Sequence, residues 1–340
     1  MRNRLFDCGV LRSVPTPVPS VGIGNLCMGG AGKSPLAAYV IDHLRKTYSV
    51  ALVTRGYGRE TKGNLLATAD GLPPAENEHR PCLKADAKTV GDEPAMMARR
   101  FPGLTVMASA KRREGVAQLM SLENPPDRIV FDDVFQHRYV RPTLNILVTA
   151  YNNLYVHDSM PPLGRLREPR SGSRRADIIV VSKCPMTMDA AEKERIVAEI
   201  KPLPHQKVFF SSIGYQKPLP LFPESAGRDS HFEPGDAVLL VTGIADPKPL
   251  EETLMKMGKV TLMRFGDHHF FTAEDCDRIA KRFESIDATR KAIVTTEKDA
   301  MRLLLSPGKA HLSSLPLFYL PIEVIMHDAQ AFKKCLNGEL

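Results

Sequence analysis

The sequence contains no tryptophan, and aromatic residues make up only 6% of its 340 positions. Proteins that bind single-stranded nucleic acid stack the bases on aromatic side chains set among basic ones, and no such interleaving is present. We therefore expect no nucleic acid among the partners. The formal net charge of +7 still favours acidic ligands, namely nucleotides, phosphorylated substrates or anionic lipid.

Cysteine is scarce and scattered. The six cysteines form no Cys-x-x-Cys pair, so neither a zinc site nor a redox dithiol is indicated, and reduced thiols in a cytosolic compartment are the simplest interpretation. No apolar run approaches the roughly 18 residues of a membrane span, and no signal-peptide pattern is present. These absences predict a protein that stays on the cytoplasmic side of the membrane.

Strand-like apolar runs alternate with helical patterns, which predicts an α/β protein with a largely parallel sheet flanked by helices. The strand-like runs are Val18–Ile23, Val50–Val53, Ile129–Phe131, Leu144–Val148, Ile178–Val181, Val208–Phe210, Val238–Val241, Val260–Met263, Ile293–Val294 and Leu317–Leu320. The helical patterns are Leu36–Arg45, Glu93–Arg100, Arg113–Leu122, Asp189–Ile200, Ala273–Ile286 and Asp328–Leu336.

The length and two proline-rich breaks, Lys201–Pro204 and Lys217–Pro223, predict two domains. We place the boundary near residue 205, which gives a nucleotide-binding and catalytic domain over residues 1–205 and a smaller α/β domain over residues 206–340. The segment Thr61–Lys88 mixes proline, glycine and charge, and is expected to be a long surface loop.

The most informative stretch is Asn25–Pro35, which reads NLCMGGAGKSP and lies between a strand-like run and a helical pattern. Strand, glycine-rich loop and helix follow one another in this order in a phosphate-binding loop. Its candidate phosphate-binding residues are Gly29, Gly30, Ala31, Gly32, Lys33 and Ser34. Lys33 would reach the outer phosphates, and the Ser34 hydroxyl would bind Mg²⁺. Because Cys27 stands where a strict motif has glycine, a simple glycine-rich turn is the alternative.

Two pairs of carboxylates accompany this loop. Asp132 and Asp133 end an apolar strand, and in a phosphate-loop protein such a strand places its terminal aspartate near Mg²⁺. Asp92 and Glu93 precede a helical pattern, where the simple interpretation is that Asp92 caps the helix and the functional one is catalysis.

Other charged segments leave two interpretations open. Gly266–Phe270 holds an Asp-His-His sequence that is either a metal or proton-transfer site or a surface turn. The arginine-rich segment after Gly164, which includes Arg165 and Arg167, is either a solvated face or a phosphate-binding surface. Arg55–Gly58 is either a loop close to a ligand or a tight turn, and the basic amphipathic amino terminus either lies on a bilayer or packs on the domain.

These pieces in this order resemble the tetraacyldisaccharide 4'-kinase family, also called lipid A 4'-kinases. The landmarks are Val21–Leu26 with Gly29–Pro35, Thr54–Gly58, Gly91–Pro94, Phe131–His137, Gly164–Pro169, Thr242–Ala245, Asp267–His269 and Thr296–Ala300. The resemblance implies a P-loop NTPase-like fold and transfer of phosphate from Mg²⁺-bound ATP to the 4'-hydroxyl of tetraacyldisaccharide 1-phosphate, which gives lipid IVA. It also implies a monotopic protein on the cytoplasmic face of the bacterial inner membrane.

The resemblance also implies roles for individual residues. Asp92 would be the general base, with His268 rather than His269 orienting it, and Glu93, Asp132 and Asp133 would join Ser34 in binding Mg²⁺. Arg55 and Arg112 would stabilise transition-state charge. Gln136, His137, Arg165 and Arg167 would position the acylated substrate.

The sequence departs from the family pattern at Val134, where glycine commonly follows the aspartate pair, and at Ser182–Cys184, where a polar Asn-Gly type pair is frequent. Three alternatives remain open. They are another phosphate-loop kinase or ATP-dependent ligase, a nucleotide-driven switch that binds a protein partner, and a membrane-surface protein with a vestigial nucleotide site. A guanine-specific switch is disfavoured because Ser182–Pro185 lacks the acidic residue of the usual base-reading motif.

Overall fold

The computed structural model describes residues 2–73, 81–223, 232–244 and 246–340. The chain forms two compact units. The first contains the chain up to Gly214 together with Glu323–Leu340, and the second is Tyr215–Ile322.

The strands follow one another along the whole chain. In chain order they are β1 (Val14–Pro15), β2 (Ser20–Gly24), β3 (Val50–Thr54), β4 (Leu65–Thr68), β5 (Cys82–Lys84), β6 (Thr105–Ala108), β7 (Arg128–Asp132), β8 (Val140–Arg141), β9 (Leu144–Ala150), β10 (Ile178–Ser182), β11 (Lys207–Tyr215), β12 (Leu219–Pro220), β13 (Ala237–Thr242), β14 (Val260–Arg264), β15 (Lys291–Thr296), β16 (Leu317–Leu320) and β17 (Ile322–Met326).

The helices alternate with these strands. They are α1 (Arg2–Asp7), α2 (Lys33–Leu44), α3 (Asp92–Arg100), α4 (Arg112–Leu119), α5 (Ala190–Ile200), α6 (Lys248–Met255), α7 (Ala273–Glu284), α8 (Glu297–Leu303), α9 (Ala310–Ser313) and α10 (Ala329–Glu339), with 3₁₀ turns at Tyr155–His157 and Arg170–Arg175.

The first unit is built on a sheet whose strand order is β17-β11-β10-β9-β2-β7-β3-β6-β4-β5. The pairs from β11 through to β6 are parallel, and β4 is antiparallel to β6. β2 lies between β7 and β9, with Ile23 opposite both Asp132 and Ile146. Since parallel strands end at the same edge of a sheet, the loop after β2 is flanked by the segments after β7 and β9.

The central strands are apolar on both faces because helices cover both sides of the sheet. Every residue of β2, β3 and β10 is buried. In α2, buried Leu36, Val40 and Leu44 recur at helical spacing and face β2 and β7. This packing fixes the start of α2 at the edge of the sheet where the loop lies.

The second unit is a smaller sheet with the order β12-β16-β15-β13-β14. Its pairs are parallel except for β12 with β16. Buried Val238, Leu240 and Val294 form its core with Leu250 and Leu254 of α6. The fold class predicted from the sequence, a largely parallel α/β sheet with a smaller α/β unit, is therefore confirmed.

The structure differs from two sequence-based expectations. The predicted long loop Thr61–Lys88 contains β4 and β5, which are too short for an apolar pattern but pair at the end of the sheet; residues 74–80 within it lie outside the described residues. The sequence predicted one boundary near residue 205, whereas residues 323–340 return to the first unit. β17 joins β11 there, and Phe332 of α10 packs against Tyr39 and Phe209.

Within the described part of the chain, no helix is both long enough and apolar enough to cross a bilayer.

Candidate active site

The loop between β2 and α2 has the backbone of an anion-binding turn. Gly32 adopts φ 82°, a left-handed conformation that favours glycine, and α2 begins at the next residue, Lys33. No side chain caps this helix, so its first amide groups and the positive end of its dipole remain available to a ligand. The loop predicted from the sequence is thus found between the predicted strand and helix.

The Lys33 ammonium lies among oxygen atoms at the mouth of this loop. Its Nζ atom donates to Asn25 Oδ1 at 3.1 Å and lies 3.5 Å from Asp133 Oδ1. The Lys33 side chain is only 13% exposed. Asp133 offsets part of the positive charge of this mostly buried ammonium. Phosphate oxygens could replace Asn25 and Asp133 as its hydrogen-bond partners.

Asp132 and Asp133 have different surroundings. Asp132 is the buried last residue of β7. Asp133 is left-handed at φ 51°, and both its carboxylate oxygens accept from Arg167 Nη1, at 2.7 and 2.9 Å. Burial raises the pKa of Asp133, but Lys33 and Arg167 outweigh burial and hold that pKa below its usual value. Asp133 is therefore ionised and committed to two cations.

The segment Arg165–Arg167 runs alongside the first half of the phosphate loop. The Met28 amide donates to the Arg165 carbonyl, and the Arg167 amide donates to the Leu26 carbonyl, both at 2.7 Å. These backbone bonds place Arg165 and Arg167, to which the resemblance assigns substrate positioning, beside the loop.

A buried carboxylate holds Gln136 in the same region. Glu168 is 2% exposed and accepts from Arg175 and from Gln136 Nε2. Gln136 Nε2 also donates to the Asn25 carbonyl at 2.7 Å, and Gln136 Oε1 accepts from Arg167 at 2.9 Å. Sequence reasoning did not single out Asn25 or Glu168 as site residues, although both lie inside the landmark motifs.

The start of α3 meets the phosphate loop through one hydrogen bond. Ser34 Oγ donates to Glu93 Oε2 at 2.5 Å, and the Glu93 amide donates to the carboxylate of its neighbour Asp92. Asp92 is 8% exposed and is the first residue of the helix. Gly91 occupies the N-cap position, and the Asp92 carboxylate accepts from an amide of the first turn, so a capping role and a catalytic role for Asp92 both stay open.

Gly91 lets this helix start close to the Arg55–Gly58 turn. Its φ is 97°, and a Cβ atom at this position would lie 2.6 Å from the Tyr57 carbonyl oxygen. The exposed Arg55 and the buried start of α3 are thereby kept side by side.

Arg112 and His137 form a basic cluster with Arg55. Burial lowers the pKa of Arg112 to about 10; Asp133 opposes that shift and Arg55 adds to it. Burial, with Arg112 and other arginines nearby, lowers the pKa of His137 to about 4, so its ring is neutral at pH 7. Among the described residues, the buried Arg112 Nε atom has no hydrogen-bond partner.

The two histidines of the second unit are held differently. His269 Nε2 lies 2.7 Å from Asp275 Oδ2, in the capping box that starts α7, and its ring stacks on Phe265. His268 is left-handed at φ 59° and its side chain is 49% exposed.

A buried ion pair supports His268. Arg302 Nη2 lies 3.2 Å from His268 Nδ1, and Arg302 also donates to Asp299 at 3.0 Å. Asp299 in turn accepts from Thr242 and Thr296 at the ends of β13 and β15. The landmarks Thr242–Ala245 and Thr296–Ala300 thus build the support of the His268 turn, with Ala245 outside the described residues.

A model of one protein family matches residues 1–340, and its description is "Tetraacyldisaccharide-1-P 4'-kinase". Proteins named tetraacyldisaccharide 4'-kinase are similar over most of their length. The chain is 42% identical to that of Parabacteroides distasonis (93% of this chain and 85% of the relative) and 40% identical to that of Bacteroides thetaiotaomicron (95% and 84%).

A solved structure has a similar fold. The LpxK protein of Aquifex aeolicus, crystallised in complex with ATP, superimposes with a TM-score of 0.72 at 27% identity, over 99% of this chain and 93% of that one.

Proposed function

Because the chain belongs to the tetraacyldisaccharide-1-P 4'-kinase family, we propose that the loop edge of its first sheet carries out the phosphate transfer. The activity is ATP-dependent phosphorylation of the 4'-hydroxyl of a tetraacyldisaccharide 1-phosphate. The observation that carries the assignment of residues is the Ser34–Glu93 hydrogen bond. It joins the phosphate loop to the helix start that holds Asp92.

The loop binds the ATP phosphates. Its amides and the first turn of α2 face the phosphate oxygens, and Lys33 binds the β- and γ-phosphates. Asn25 and Asp133 orient the Lys33 ammonium before the nucleotide arrives.

Asp92 is the general base. As the 4'-oxygen bonds to the γ-phosphorus, its proton passes to the Asp92 carboxylate and the bond from phosphorus to the leaving ADP oxygen breaks. Asp92 is buried at the start of α3, so bulk water has little access to its carboxylate. We further propose that His268 orients Asp92. This pairing remains a prediction, supported by the exposed His268 ring and by the structural bond that occupies His269.

The oxygen donors near the loop fit Mg²⁺. The ion prefers a few carboxylate or hydroxyl oxygens together with substrate phosphates and water, and Ser34, Glu93 and Asp132 supply such oxygens. In the described ranges, no group of three or more His, Cys, Asp or Glu side chains is arranged to hold a metal ion. When bound, Mg²⁺ would neutralise phosphate charge. Asp133 is the weakest of the proposed ligands because Arg167 occupies both its oxygens.

The basic cluster binds the anionic substrate and the charge that develops on the transferred group. Arg112 offers a buried guanidinium with an unused N–H group, and Arg55 is exposed beside it. His137, being neutral, contributes hydrogen bonds rather than charge. Gln136, Arg165 and Arg167 complete the substrate-positioning surface, since backbone and side-chain bonds fix all three at the loop.

The protein acts at the cytoplasmic face of the bacterial inner membrane as a peripheral, monotopic enzyme. An acylated substrate resides in the bilayer, so the enzyme must approach its surface. In α1 and the following turn, Leu5 and Val10 are exposed while Phe6 is buried against Tyr139. Exposed apolar side chains near Arg2 and Arg12 suit contact with anionic lipid.

Transfer of radiolabelled phosphate from ATP to tetraacyldisaccharide 1-phosphate in detergent micelles tests this function. Wild-type protein should label the lipid, and the Lys33→Ala variant should not. Labelling of soluble sugars or metabolites in place of the lipid would contradict the proposal.

A further inference from the structure

The carboxyl end of β10 forms a side of the phosphate loop that the reaction scheme above does not use. Ser182, the last residue of β10, is buried, and its Oγ atom donates to the Ala31 carbonyl at 2.6 Å. A Cβ atom at Gly32 would lie 3.3 Å from the same hydroxyl. The strand end is therefore packed directly against the loop.

Lys183 extends from this strand end to Gly30 of the loop. It is exposed and left-handed, at φ 57°. A Cβ atom at Gly30 would lie 3.8 Å from Lys183 Nζ. The Lys183 ammonium thus lies beside Gly30, where no side chain covers the backbone of the loop.

Two ammonium groups consequently flank one phosphate loop. Lys33 lies at the helix end of the loop, where Asp133 offsets part of its charge. Lys183 lies beside the glycine arm at Gly30. Loop amides carry only partial charges, and a triphosphate has more negative charge than one half-neutralised ammonium can balance.

We propose that Lys183 is a second cationic ligand for the phosphates of ATP. The proposal rests on the proposed function only in taking the glycine loop as the nucleotide site. It assigns chemistry to the Ser182–Cys184 segment, where the sequence departs from the polar pair frequent in the family. A contact of Lys183 with the nucleoside, as in base-reading motifs, is the competing possibility that the experiment must separate.

The test measures nucleotide affinity rather than turnover. Dissociation constants for ATP are determined by calorimetry in EDTA, so that no metal contributes, for wild type, Lys183→Asn and Lys183→Arg. Asparagine tolerates the left-handed backbone, so Lys183→Asn removes the charge without new strain. Inorganic tripolyphosphate, competing with ATP, reports on the phosphate contact without a nucleoside.

Lys201→Asn is a matched control. Lys201 is also exposed and left-handed, at φ 50°, and caps the carboxyl end of α5. The helix α5 follows the carboxyl end of β10, which lies at the phosphate loop, and leads back to the amino end of the parallel strand β11. Lys201, at the end of α5, therefore lies at the edge of the sheet opposite the loop. Both substitutions change the net charge equally.

Lys183→Asn should weaken ATP and tripolyphosphate binding about 10-fold, the order expected for one charge-assisted contact. Its ATP affinity should also depend less steeply on salt than that of wild type. Lys183→Arg and Lys201→Asn should stay near the wild-type affinity.

Three results would overturn the assignment. They are unchanged ATP affinity in Lys183→Asn, an equal loss in Lys201→Asn, and weaker ATP binding with unchanged tripolyphosphate binding, which would place Lys183 on the nucleoside. Failure of the wild type to phosphorylate the lipid would instead defeat the proposed function, and would leave this affinity pattern intact.

Discussion

The two units hold their functional side chains in different ways. At the loop edge of the first sheet, Lys33, Asp133 and Arg167 form one connected set of ion pairs, and each side chain has a protein partner. In the second unit, the buried Asp299–Arg302 pair supports a single turn, and the His268 ring on that turn is about half exposed.

This contrast distinguishes the charged side chains at the phosphate loop from His268 in the second unit. The side chains that we propose to contact the nucleotide phosphates are held by opposite charges, which limits the reorganisation needed at the loop. His268 lies between two charged neighbours, with Arg302 3.2 Å from its Nδ1 atom and Asp267 4.0 Å from its Nε2 atom. The following predictions test whether these two arrangements serve different steps, from the largest expected effect to the smallest.

Removing the loop ammonium should have the largest effect. Lys33→Ala should lower kcat/KM for lipid phosphorylation by about 10²- to 10³-fold, because a preorganised charge on the transferred phosphate is lost. Steady-state kinetics in micelles would measure it. Lys46→Ala, at an exposed lysine paired with Asp42, is the control and should retain wild-type kinetics. A loss of similar size in both variants would remove Lys33 from its proposed role.

The two adjacent histidines should separate into a functional and a structural residue. His268→Ala should lower kcat by about 10²-fold with little change in stability, as for a residue that assists a general base. His269→Ala should cost about 1–3 kcal/mol of folding free energy, because Asp275 loses a hydrogen-bond partner. Chemical denaturation and kinetics on both variants provide the measurement. If His269→Ala were the less active and equally stable variant, the assignment would be reversed.

The turn before Asp92 should tolerate no side chain. Gly91→Ala places a Cβ atom 2.6 Å from the Tyr57 carbonyl at a φ of 97°, so we expect about 2–4 kcal/mol of destabilisation from the strained backbone and the steric clash together. Activity should fall as well, since this turn sets the start of α3. Gly103→Ala has a similar φ of 83° with open space around it and should cost only about 1 kcal/mol. Equal urea midpoints for the two variants would count against the close approach.

The smallest effect concerns pH. The folded pKa of His137 is about 4, below its unfolded value of about 6.5. Between these values the unfolded chain takes up a proton that the folded protein does not, so stability should fall as the pH drops from 6.5 towards 4. His137→Gln should weaken this dependence in urea titrations at pH 5 and pH 7. An imidazole resonance of His137 titrating near pH 6.5 in the folded protein would contradict the account.

The sequence alone predicted those features that depend on residues close together in the chain. Apolar runs identified the central strands, and the order of strand, glycines and Lys-Ser identified the phosphate loop, because both depend on neighbouring residues. β4 and β5 escaped notice because two short strands at the end of a sheet need no long apolar pattern.

Contacts between distant residues could not be predicted in this way. Gln136 meets Asn25 and Glu168 only because β7 lies beside β2 and the Arg165–Arg167 segment runs along the loop. The left-handed Lys183 follows a predicted strand, but only the fold brings it over Gly30. The return of residues 323–340 to the first unit likewise depends on the pairing of β17 with β11.

The central claim is that Asp92, joined to the phosphate loop through Glu93 and Ser34, takes the proton from the lipid hydroxyl. A single-turnover assay with Asp92→Asn, run beside calorimetric ATP titration, tests it most directly. We predict ATP affinity within about twofold of wild type and phosphate transfer slowed by about 10²- to 10⁴-fold. Transfer at the wild-type rate, with ATP bound normally, would contradict the account.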